Sequence, residues 1–114
     1  MLVLKFFPFG VDNPRYLNRK QIEDYNEKGY IFPLDVFGKD EIDEIRAYFD
    51  KLLPKALATG WNNYELTNWH KYCRGIYDIV TNKKILDYVQ DLLGETIILR
   101  HSHLFAKLPS DGKR

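Results

Sequence analysis

The feature that most constrains this chain is its last stretch, TIILRHSHLFAKLPSDGKR, Thr96 to Arg114. Thr96 to Lys107 reads as a β-strand: β-branched and apolar residues are dense, and charged or polar residues fall between them. A strand cannot satisfy its own backbone N–H and C=O groups. Ile97, Ile98, Leu99, Leu104 and Phe105 would make a lone one adhesive. The segments before it read mainly as helices. The expectation is therefore that this strand opens a sheet or barrel, and that the chain is the front part of a longer domain.

Side chains alternate between the two faces of a strand. Leu99, His101, His103, Phe105 and Lys107 fall on one face, and Ile98, Arg100, Ser102, Leu104 and Ala106 on the other. Two imidazoles and a lysine beside Leu and Phe are unusual for a plain core and suit the inner wall of a barrel that holds a polar ligand. Three readings of His101 and His103 stay open: strand histidines with ordinary hydrogen-bond partners, contacts to a ligand or cosubstrate, and a same-face metal pair. No third metal ligand sits at a readable spacing. Lys107 is either a solvated strand-end lysine or an anion-binding group. His70, next to Trp69, is either structural or on the substrate side. Cys73 reads as a small packing residue, since a single cysteine without a recognisable His partner is weak support for a nucleophile. No glycine-rich phosphate loop, catalytic carboxylate pair or Ser/His/Asp arrangement is present.

The remaining segments read as follows. Leu2 to Phe9 forms a short strand or an extended arm, and Gly10 to Arg15 is turn chemistry. Asn18 and Gln21 form a capping box for a helix that ends at Gly29. Tyr30 to Phe37 is β-like, with Pro33 restricting it to an edge. The clearest helix, KDEIDEIRAYFDKLLPKAL, places Ile42, Ile45, Phe49, Leu52, Leu53 and Leu57 on one side and should end or kink at Pro54. Ala58 to Gly75 has no period and reads as a long covering loop. Two short helices follow, broken near Thr81 and Asn82. The second should bury Ile85, Leu86, Tyr88, Val89, Leu92 and Leu93 and close at Gly94.

Composition sets the outer bounds. A chain of 114 residues is at most one small domain, and 45% hydrophobic content with eight Tyr and seven Phe can form a core. With 17 basic and 16 acidic residues the net charge is +1, which gives no reason to expect nucleic acid or an acidic membrane as partner. One cysteine fits a reducing, cytoplasmic setting. The apolar start lacks a basic leader and is interrupted by Lys5 and Pro8, and no uncharged run is long enough to cross a bilayer.

Two blocks together resemble the amino-terminal region of the phytanoyl-CoA dioxygenase family. NRKQIEDYNEKGYIFPLDVFGKDEIDEIRAYFDKL is similar to that family's helix, Gly-Tyr, short strand, turn and acidic-start helix. YDIVTNKKILDYVQDLLGETIILRHSHLFAKLPSDGKR is similar to the run from its Leu-Leu-Gly-ending helix into the first barrel strands. That run includes Lys107-Leu108-Pro109 and Asp111-Gly112-Lys113. The resemblance implies an α+β fold in which N-terminal helices lead into the first strands of a double-stranded β-helix, or jelly-roll, with residues 1–114 as the N-terminal portion of a single oxygenase domain. It implies an Fe(II)- and 2-oxoglutarate-dependent dioxygenase hydroxylating a small organic or acyl molecule. The family's His-x-Asp iron ligands normally follow the Asp-Gly-Lys segment, so no residue here takes their role. Positions matching the family's cosubstrate-facing strand are His103 first, then Lys107 and His101, and His70 falls near the active-site mouth. A halogenase of the same superfamily is the close alternative. From a different class, a helical interaction module would use its strand to pair with a partner's sheet edge. A cupin-like metal protein using His101 and His103 is the third.

Overall fold

A computed structural model of the chain describes residues 6–112. Its elements are α1 (Arg19–Lys28), α2 (Lys39–Ala58), β1 (Leu66–Thr67), a 3₁₀ turn (Trp69–Lys71), α3 (Arg74–Val80), α4 (Lys83–Leu93) and β2 (His103–Leu104). The protein is a helix-rich α+β chain whose described residues contain one antiparallel sheet of two strands. It forms two compact units: one from the residues up to 36 with 83–98, the other from 37–82 with the residues from 99 on.

In the first unit, α1 starts as its sequence dictates. The Asn18 side chain accepts from the Gln21 N–H at 2.8 Å, and Gln21 Oε1 accepts from the Asn18 N–H at 2.9 Å. Gly29 closes the helix at φ 84°, a left-handed conformation that costs glycine little. Phe6 to Phe9 form no strand, and Leu2 to Lys5 of the expected arm lie outside the described residues. Phe9 instead bonds both ways with the Asn26 amide, at 2.7 and 2.8 Å. Tyr30 to Phe37 is likewise not a strand. Pro33 removes one ladder donor, and no described strand lies alongside to use the others. In α4 the expected apolar stripe is only half-buried and Leu93 is exposed; the one fully buried residue is Asp91. Ile85, Val89 and Leu92 instead line an open apolar groove of about 220 Å³ together with Leu17, Leu34 and Val36.

In the second unit, α2 does not end at Pro54 but continues to Ala58. Its inward face is Ile45, Tyr48, Phe49, Leu52, Leu53 and Ala56, whereas Ile42 and Leu57 are exposed. The core gathers Leu53, Ala56 and Leu66, with Phe49, Trp69, Leu104 and Ala106 packed against it. Residues 58–75 are therefore not a cover: they supply Leu66, the most buried residue of the unit, and the buried Asn63 and His70.

Gly75, in the first turn of α3, lies flat beneath the Tyr48 ring: a Cβ there would stand 2.3–2.8 Å from three ring carbons. Burial raises the Tyr48 hydroxyl above its ordinary pKa, and the neighbouring Cys73 adds to this. Gly75→Ala must displace the ring, and overpacking of this kind costs about 1–3 kcal/mol. Urea titration should show the loss. The double variant Gly75→Ala/Tyr48→Ala should lose less than the sum of the singles.

Candidate functional site

The expected strand Thr96–Lys107 contracts to His103–Leu104 in ladder terms, but it is not unpartnered. Leu104 faces Leu66 and His103 faces Thr67. The pairing continues on both sides through Asn68 N–H to Ser102 O and Ala106 N–H to Asn63 O, each 2.7 Å. The partner is the segment that sequence periodicity leaves blank.

The two-face alternation holds from His101 to Lys107 but not before it, where Ile98, Leu99 and Arg100 are all exposed. Ser102, Leu104 and Ala106 are half-buried, while His101, His103, Phe105 and Lys107 are exposed. The reason is packing: Leu104 and Ala106 are drawn onto the Leu53–Ala56–Leu66 core, and the pleat then turns every second residue outward.

The outward face is ordered by ring contacts. His101 and His103 meet edge to face with centroids 6.3 Å apart, and His103 meets Phe105 at 5.0 Å in the same way. Phe105 stacks on Tyr64 at 6.3 Å. His103 Nε2 lies 2.5 Å from the Tyr64 carbonyl oxygen. A carbonyl only accepts, so this nitrogen carries the proton, and in the neutral ring Nδ1 keeps its lone pair. Burial holds the Tyr64 hydroxyl above its ordinary pKa, and the Asp111 charge pushes the same way.

His70 belongs to the other side. It is buried, and its Nδ1 lies 2.5 Å from Ser102 Oγ, tying the 3₁₀ turn to the inward face of the strand. The structure thus brings His101, His103 and Phe105 together on one face, leaves Lys107 exposed further along it, and separates His70 from them.

Sequence reasoning passed over Asn63 and the carboxylate of Asp111. Asn63 Nδ2 donates to Ala106 O at 2.5 Å and to Asp111 Oδ2 at 3.3 Å, and Asp111 Oδ2 also accepts from Leu108 N–H at 2.9 Å. These bonds hold the turn after Lys107, where Ser110 and Gly112 have positive φ of 60° and 70°. The Pro-Ser-Asp-Gly string marks the turn; nothing local marks Asn63. Lys113, last of the Asp-Gly-Lys motif, lies outside the described residues.

No three His, Cys, Asp or Glu side chains among the described residues are grouped to hold a metal, and no described helix is long and apolar enough to cross a membrane. No family model, curated protein or solved structure matches the chain.

Proposed function

We propose that this chain is the N-terminal part of an iron(II)- and 2-oxoglutarate-dependent oxygenase of the phytanoyl-CoA dioxygenase type, acting by hydroxylation on a small organic or acyl substrate. The observation that carries the reading is the outward face of residues 99–107. From His101 to Lys107 its imidazoles, phenyl ring and lysine stay exposed, while Leu104 and Ala106 pack inward and Ser102 is half-buried. A jelly-roll of the proposed kind would use such a face as an inner wall, with further strands covering it. His103 first, then Lys107 and His101, would face 2-oxoglutarate, with Lys107 supplying positive charge for one of its carboxylates. The described residues hold no group of three candidate metal ligands, so the iron would be held elsewhere. When bound, it would supply the oxygen chemistry.

The test begins with the reading frame beyond Arg114. The expected finding is a His-x-Asp, or a His-x-Gly for a halogenase. The complete product should then release succinate from 2-oxoglutarate in the presence of Fe(II). Lys107→Ala should raise the KM for 2-oxoglutarate about tenfold or more, as loss of one charge-assisted contact implies. Absence of both motifs downstream, or no succinate release from the complete product, removes the reading.

A further inference from the structure

We infer that His101 and His103 form a chelating pair for one divalent transition cation of borderline softness, with zinc as the representative ion. The iron of the oxygenase proposal would use other ligands, although both readings draw on the same outward face.

Three observations converge on it. Both rings are exposed and meet side by side, His101 two residues before β2 and His103 in it, so an ion reaches them without opening the core. Their centroids are 6.3 Å apart. Two imidazoles bound to one ion through bonds of about 2.0–2.1 Å bring their centroids to roughly 5–6 Å, a gap that rotation of the exposed His101 side chain closes. The third observation concerns tautomer. The Nε2–H of His103 is spent on the Tyr64 carbonyl, which leaves Nδ1 as a fixed lone pair. A ring N–H held by a backbone carbonyl is the usual outer support of a metal-bound histidine. Phe105, edge to face with His103 and itself stacked on Tyr64, limits the swing of that ring. His101 supplies the second nitrogen, and water completes the shell.

The test is titration of the 114-residue chain with Zn²⁺ by calorimetry and by NMR of the histidine rings. The expected result is one ion per chain, with the ring signals of His101 and His103 perturbed and those of buried His70 unmoved. Binding should weaken as pH falls, because protons compete for the same lone pairs. His101→Ala and His103→Ala should each lower affinity at least about tenfold. Both side chains are exposed, and circular dichroism checks that the variants fold. If a variant does not fold, the ring signals of the unsubstituted chain decide. Absence of saturable binding, binding retained in the double variant, perturbation centred on His70, or one ion shared between two chains would each overturn the intrachain chelate.

Discussion

Asp91→Ala is expected to lower stability by roughly 3 kcal/mol, because it removes the acceptor for three consecutive backbone N–H groups. Arg15 N–H reaches both carboxylate oxygens at 3.0 and 3.1 Å, and the N–H groups of Tyr16 and Leu17 reach Oδ2 at 2.6 and 2.7 Å. Two backbone bonds flank this clasp: Gly10 N–H donates to Leu92 O and Val11 N–H to Asp91 O. Without the carboxylate, the buried N–H of Leu17 has no acceptor in place, which is the costly side of hydrogen bonding. Asp91→Asn keeps one oxygen but turns an N–H₂ toward N–H donors, and should recover only part of the loss.

The same clasp predicts a pH dependence. Burial pushes the Asp91 carboxyl up, but donation from the backbone of Arg15, Leu17 and Tyr16, together with the Arg15 charge, outweighs it and holds the pKa below the ordinary 3.8. A folded pKa depressed in this way contributes stability that is present above the unfolded value and is lost as pH falls through the folded one. The stability difference between the unsubstituted chain and Asp91→Asn should therefore be largest at neutral pH and narrow below about pH 4. Urea titrations at a series of pH values measure it. A difference that is constant with pH would mean that the charge of Asp91 contributes nothing.

The second large effect is expected at Leu66. Its side chain is fully buried, it belongs to the core with Leu53 and Ala56, and it faces Leu104 across the strand pair. Leu66→Ala removes three heavy atoms from a site enclosed on all sides, for which about 2–5 kcal/mol is the usual cost. For a chain of this size that corresponds to a fall in Tm of roughly 10–20 °C. The consequence reaches the candidate site. Leu104 and Ala106 pack inward on this core, and that packing turns His103 and Phe105 outward. Amide exchange at Ser102, Leu104 and Ala106 should therefore accelerate in Leu66→Ala, and zinc binding by the exposed pair should weaken with it. Leu66→Met, which keeps the volume, should restore most of both.

Local rules were enough for several parts of this protein. The Asn18–Gln21 box, the glycine that closes α1, the break at Thr81 and Asn82, and the two faces of residues 101–107 all follow from hydrogen bonds or periodicities spanning a few residues. Such signals are complete within the string that carries them. They misled where a rule concerned only one competing term. Pro54 removes a single N–H, yet Leu53 and Ala56 on either side of it are buried in the core, and α2 continues. Leu57 fits the apolar stripe of α2, but the core took Ala56 and left Leu57 exposed.

What the sequence by itself determined is which residues share a face: backbone geometry sets the helix and strand periods without reference to the rest of the chain. Tertiary structure decided which face is covered and by what. Asp91 is a polar residue in an amphipathic helix until residues 74 positions away bring their N–H groups to it. His70 is one loop histidine among polar neighbours until Ser102, 32 positions on, meets its ring. Contacts at that separation depend on the whole chain having closed, since the gain from each is collected only after loop-closure entropy has been overcome. No short window of sequence holds both partners.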